Sequence, residues 1–245
     1  MTNYSFVSPS GIVIDRTDRE IDYERGIDFL IDALNDTCGA YLSSGVEDQD
    51  RYARWDFGFI DPPVEVVAHQ DKFRLTALNG RGVPLLAMLR PLLLKAPNIK
   101  LKSEDETNLF LTITSPNRIF AEEERSRQPS VFSVIRTICE LFRSEDSYLG
   151  LYGAFGYDLV LQFEEITTRH TRDPEQVDCH LFLPVELVAV DRQKEEAFLL
   201  QYHIHTPDGF TESWWNTGAP CPRASGTPDG QIRSDHEPGA FQQKV

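Results

Sequence analysis

At 245 residues, 40% apolar and carrying 15 Phe, the chain is long enough to bury a substantial core, as one large domain or two small ones. A formal net charge of −15 without any basic cluster repels phosphate backbones, which excludes general nucleic-acid binding. No apolar run approaches the roughly 18 to 20 residues that span a bilayer, and no basic leader precedes an apolar core, so the expectation is a cytoplasmic protein without membrane contact.

In chain order, the first predicted element is a helix from Asp22, because Ile27, Leu30, Ile31 and Leu34 recur at the spacing of one buried face, slightly weakened by Gly26. Residues 35–39 read as its exit, since Asn, Asp and Gly tolerate the left-handed backbone that closes a last turn. A short strand over 40–43 follows. The aromatic segment 55–60 ends at Asp61-Pro62-Pro63, because proline donates nothing to a ladder and pushes its predecessor out of helical space. Residues 64–68 and 73–77 form a hairpin around Gln70, Asp71 and Lys72. After the turn at Asn79-Gly80, Pro84 suits the first turn of a leucine-rich core helix that Pro91 kinks or shortens.

Residues 98–105 are polar and read as a loop, and 109–114 alternate as a strand. The run Glu122, Glu123, Glu124 and Arg125 reads as a solvated loop, since contiguous carboxylates diverge on any regular backbone. Ser130 is the N-cap of the clearest helix, with Val131, Val134, Ile135, Ile138, Leu141 and Phe142 on one face. It leads into a corner where Gly150, Gly153 and Gly156 recur every third residue among large apolar side chains. That spacing matches neither phosphate-binding loop and suits a strand packed closely as it turns into a helix. Strands resume at 181–183, 186–190 and 197–202, the last two a hairpin over the charged stretch 191–196. Strand pairs interrupted by helices, without βαβ alternation, predict an α+β fold of antiparallel sheets with packed helices.

The residues that carry chemistry elsewhere are weakly placed here. Cys38, Cys139, Cys179 and Cys221 form no C-x-x-C pair and read as reduced thiols. His203 and His205 point the same way from one strand, which supplies two metal ligands but no evident third. His69, His170 and His180 lack motif partners. Asp158, Glu164 and Glu165 are an imaginable acid pair at the glycine corner, where a hydrogen-bonding role competes.

Residues 150–164, GLYGAFGYDLVLQFE, resemble the Gly-rich G-x-x-G-x-x-G-Y-D-L element in the amino-terminal half of anthranilate synthase component I, a chorismate-utilising enzyme of tryptophan biosynthesis. RWDFGFIDPP (54–63) and HLFLPVELVAVD (180–191) resemble the same half, particularly in fused synthases that carry their glutaminase on one chain. RSDHEPGAFQQKV (233–245) resembles the opening of the catalytic half. The resemblance implies three parts: an amino-terminal regulatory domain over 1–205, a linker over 206–234, and the start of the chorismate-binding domain over 235–245.

It also implies a tryptophan-binding regulatory pocket. Leu42, Ser43 and Ser44 match the family's Leu-Glu-Ser, so that Ser43 stands where the family has a glutamate, and Arg54 matches a basic position able to hold a ligand carboxylate. A neutral hydrogen bond from Ser43 is roughly half as strong as one to a carboxylate. Read from the residues alone, Ser43 and Ser44 are a polar turn closing a strand. The implied partners are L-tryptophan, a catalytic half and a glutamine amidotransferase component. The family's Mg²⁺ ligands and acid–base groups lie in the catalytic half, so the expectation for this chain is no cofactor, no metal site and no turnover alone. A subunit of a split synthase, a relative of aminodeoxychorismate or phenazine-pathway synthases, and a non-catalytic interaction module are the alternative readings.

Overall fold

Over residues 2–21 the chain already lays down an exposed edge: Thr2–Val7 (β1) pairs antiparallel with the longer Val13–Ile21 (β2). The computed structural model describes residues 2–43, 54–114, 129–164, 166, 169, 172–173, 176–206 and 209–211. Two antiparallel sheets result. The first runs β1, β2, β12 (Glu196–Thr206), β11 (Glu186–Asp191), β4 (Trp55–Ile60) and β3 (Gly39–Ser43), with the short β13 (Gly209–Phe210) paired to the end of β12. The second runs β7 (Ile99–Glu104), β8 (Asn108–Ile113), β6 (Lys72–Ala77), β5 (Val64–His69), β10 (Cys179–Leu183) and β9 (Tyr152–Phe155). This is the α+β arrangement that the alternation of strand pairs and helices predicted.

The helices fill the layers around these sheets. Helix α1 (Tyr23–Ala33) is capped by the Asp22 carboxylate, which accepts from Arg25 N at 2.9 Å, and it covers the outer face of the first sheet. Its buried side is narrower than predicted. Gly26 and Leu30 are buried against Ile60, Val188, Val190, Ala197 and Leu199, whereas Ile31 faces outward. Nor does its exit use a left-handed residue: Leu34 stays right-handed, and Asn35 and Asp36 close the last turn by donating to Asp32 O and Ala33 O. Helix α2 (Gly82–Leu93) is apolar on most sides because it packs on the second sheet while also touching β12 and α3 (Val131–Leu141). Pro91 sits two residues from its end, as a helix-shortening proline should.

The predicted loop 98–105 is mostly a strand. Lysines at 100 and 102 hid the alternation that places Ile99 and Leu101 toward the core, and β7 is an edge strand, where lysine guards an open ladder. Likewise the region read as linker begins with ordered backbone. β12 runs through Thr206, and Thr211 returns to bond Ile204. Glu122 to Arg125 lie outside the described residues.

The chain changes sheet twice, at Asp61-Pro62-Pro63 and at Pro184-Val185, and one side chain holds both crossings. The largely buried Arg81, just ahead of α2, donates through Nη1 to Glu186 Oε1 (3.0 Å) and through Nη2 to Asp61 Oδ2 (2.7 Å) and to the Asp61 carbonyl. Asn79 bonds Asp61 as well, which fixes the latter's left-handed φ of 51°. At the glycine corner, β9 gives way to a 3-10 helix, Tyr157–Gln162. A Cβ on Gly153, whose φ is +155°, would lie 2.1 Å from His180 O, and one on Gly156 would lie 2.7 Å from Val177 O. The glycines are there because β9 and β10 approach so closely, in keeping with packing rather than phosphate binding.

Candidate ligand site

Three strand ends meet beside the close of β3. The register sets Ser43 opposite Asp56, and Asp56 opposite Val190, so that β3, β4 and β11 finish together. Their end residues carry four charges that pair crosswise. On β4 the chain reads Arg54, Trp55, Asp56; at the end of β11 it reads Asp191, Arg192.

Asp56 is fully buried, and three donors converge on it: Arg192 Nε (2.7 Å) and Tyr41 OH (2.8 Å) to Oδ2, and Ser43 Oγ (3.0 Å) to Oδ1. Arg192 Nη2 also reaches Ser43 Oγ at 3.3 Å. Burial alone would push the Asp56 carboxyl up, but the hydrogen bonds from Arg192, Tyr41 and Ser43 outweigh it and hold the pKa below the usual carboxylate value. The same arrangement raises the Tyr41 phenol, through burial first and Asp56 second. Arg54 donates Nε (3.0 Å) and Nη2 (2.7 Å) to Asp191 Oδ2, while its guanidinium lies 5.0 Å over the Trp55 ring. Asp191 Oδ1 in turn accepts from the backbone of Gln193 and Lys194. The Arg54 hydrogen bonds are the largest cause holding the Asp191 carboxyl below its ordinary value. Arg192 N donates to Arg54 O at 2.8 Å, which ties the two pairs together through backbone.

Of the predicted site residues, Ser43 and Arg54 therefore occupy the same end of the first sheet. They do so on different faces. Ser43 points with Tyr41 and Asp56, whereas Leu42, opposite Phe57, points the other way, toward the face on which Arg54 stacks over Trp55. Ser44 lies outside the described residues. The side chains of Arg54 and Arg192 remain 40% and 36% exposed, each anchored on a carboxylate that is almost wholly buried. Each guanidinium so held presents donors to solvent on its own face of the sheet end, and Arg54, stacked on Trp55, is a suitable receptor for a carboxylate. Sequence reasoning missed Asp56, Asp191 and Arg192. Their signal was a mixed-charge tripeptide opening β4 and a mixed-charge dipeptide closing β11, unreadable until the strands are set side by side.

The other candidates have structural partners. His203 Nδ1 meets Thr211 O (3.1 Å) and His205 Nε2 meets Asp15 Oδ2 (2.7 Å). Gln176 Nε2 donates to Asp158 (2.9 Å), the hydrogen-bonding role expected at the glycine corner. Glu165 and His170 lie outside the described residues. Among the described residues no three His, Cys, Asp or Glu side chains come together to hold a metal ion. No described helix is long and apolar enough to cross a membrane.

A groove of about 740 Å³ opens on the far side of the same sheet, between β1 and residues 143–146. Beneath it the Arg16 guanidinium donates to Asp18 (2.6 Å) and to Asp146 Oδ2 (2.9 Å), and Tyr202 OH donates to Asp146 Oδ1 (3.0 Å). Burial is the main cause that raises the Tyr202 phenol, with the Asp146 charge second.

No protein-family model matches the chain. It is similar over 241 residues, 98% of its length, to an anthranilate synthase of Azospirillum brasilense, with 39% identity. A second relative, an anthranilate synthase component 1 of Vibrio cholerae serotype O1, is 25% identical over 195 residues, 74% of this chain. These alignments cover 33% and 36% of the two relatives, so the chain spans about a third of the length of the curated proteins it matches.

Proposed function

The chain belongs to the anthranilate synthase component I family, and from that premise we propose that its two-sheet body is the ligand-sensing part of such an enzyme, with L-tryptophan as the ligand. The observation that supports this reading most directly is the crosswise pairing of Arg54 with Asp191 and of Arg192 with Asp56 at the strand ends next to Ser43. Arg54, stacked on Trp55, receives the ligand carboxylate. Leu42 and the Trp55 and Phe57 rings supply apolar surface on the same face. Asp56 and Ser43 lie on the other face of the same strand ends.

The reaction of chorismate, the Mg²⁺ that assists it and the glutaminase that feeds it ammonia belong, in this proposal, to the two thirds of the family's polypeptide that this chain does not span. None of the described residues is assigned a catalytic step. The test is calorimetric titration of the chain with L-tryptophan, and with Arg54→Ala and Ser44→Ala variants. Saturable binding that weakens at least tenfold in Arg54→Ala is the expected result, since a charge-assisted hydrogen bond contributes about 1.5–3 kcal/mol. Binding of equal strength in both variants refutes the assignment. Formation of anthranilate from chorismate and ammonia by the chain alone refutes the division of labour.

A further inference from the structure

Between the groove beside β1 and Arg54, guanidinium and aromatic groups follow one another in contact. Arg16 lies over the Tyr4 ring (5.2 Å) and over the Tyr148 ring (5.1 Å); Tyr148 meets Trp55 edge to face (6.4 Å, 70°); and Arg54 lies over Trp55 (5.0 Å). Tyr148 also tilts against Phe57 at 5.9 Å. It is the central member, and its backbone is pinned: Asp146 Oδ1 accepts from Tyr148 N (2.8 Å) and Leu149 N (3.2 Å), while the same carboxylate is held by Arg16 and Tyr202.

From this geometry we propose that Tyr148 is a positioning residue for Arg54, acting through Trp55, and that the buried Asp146–Arg16–Tyr202 cluster is what fixes Tyr148. The physical reasoning has two steps. Among the described residues Arg54 is held by Asp191 through Nε and Nη2 on a single carboxylate oxygen, which leaves the tilt of the guanidinium plane to be set by the surface it lies on. That surface is Trp55. Its ring lies nearly parallel to Phe57 (6.1 Å, 15°), and Tyr148 packs against it roughly perpendicular from outside the strand (6.4 Å, 70°). A ring quadrupole favours such an edge-to-face contact over its absence, and an indole so oriented offers its face to the cation. Residues 148 and 54, nearly a hundred positions apart, thus act as one unit. The inference rests on the proposed ligand role of Arg54 for its importance but not for its test, which is read without ligand.

The experiment is NMR of the whole chain with ¹⁵N-labelled arginine, the Arg54 Nε–H signal being assigned with Arg54→Lys. Its chemical shift reports the ring current of Trp55. In Tyr148→Leu the signal moves toward its position in Trp55→Leu, whereas Tyr148→Phe, which keeps the ring, leaves it in place. Tyr148→Met, which conserves volume without a ring, stands in if the leucine variant fails to fold. An Arg54 signal that stays at its wild-type position when the ring of Tyr148 is removed from folded protein overturns the proposal. In the calorimetric titration the same Tyr148→Leu variant binds L-tryptophan several-fold more weakly while Tyr148→Phe does not. Failure of tryptophan to bind the wild type at all refutes the sensing role and leaves the NMR outcome to decide the positioning role.

Discussion

Replacing Arg81 with methionine keeps most of the side-chain volume and removes the cation that holds both sheet crossings. In the wild type its guanidinium, 11% exposed, lies 2.7 Å from Asp61 Oδ2 and 3.0 Å from Glu186 Oε1, and those carboxylates are 3% and 4% exposed. Removing one partner of a buried ion pair costs about 3–5 kcal/mol, because the remaining charge is left in a poorly solvating site. Here two carboxylates are left, so the upper part of that range applies. A loss of about 4–5 kcal/mol lowers Tm by roughly 8–20 °C for a chain of 150–250 residues. Thermal unfolding followed by circular dichroism measures it, with urea unfolding as a check that the slope is unchanged. The triple variant Arg81→Met, Asp61→Asn, Glu186→Gln recovers much of the loss, since neutral amides no longer require a counter-charge. If Arg81→Met unfolds within about 2 °C of the wild type, the two crossings are held by something other than this cluster.

The remaining predictions concern the site and the sheet edges. The folded pKa of Asp56 is depressed below its ordinary value of 3.8, so its contribution to stability is complete above that value and lost as the pH falls through the depressed one. Urea midpoints between pH 6 and 2 therefore fall more steeply for the wild type than for Asp56→Asn below about pH 4, and parallel curves would refute the assignment. Gly153→Ala drives a Cβ to 2.1 Å from the His180 carbonyl, where only backbone can give way. A loss of about 1–3 kcal/mol by urea unfolding is expected, against no more than a few tenths for Gly150→Ala, where nothing lies within 4 Å. Changing Lys100 and Lys102 to valine strips the charges from edge strand β7, and light scattering should then show faster aggregation at unchanged pH.

What the amino-acid sequence determined by itself was confined to local features, and not all of those. The hairpin over 64–77, the capped helix from Ser130, the helix-ending effect of Pro91 and the fold class all follow from periodicity and backbone chemistry within a few residues. The resemblance carried by the glycine corner and its companions was likewise a property of contiguous residues, and it pointed to the family that the relatives show. The amino-terminal β1 and β2 went unread for the opposite reason. β2 carries Asp15, Arg16, Asp18 and Arg19 in the middle of a strand, a pattern that makes sense only once Asp146 lies against Arg16 from 130 residues away. The site shows the same division. Arg54 could be named from its neighbours in sequence, but its partner Asp191 is 137 positions distant, and Asp56 and Arg192 are 136 apart. Ion pairs across a sheet have no local signature: the charges at strand ends look like solvated loop residues until antiparallel pairing brings β4 and β11 side by side and removes the water between them.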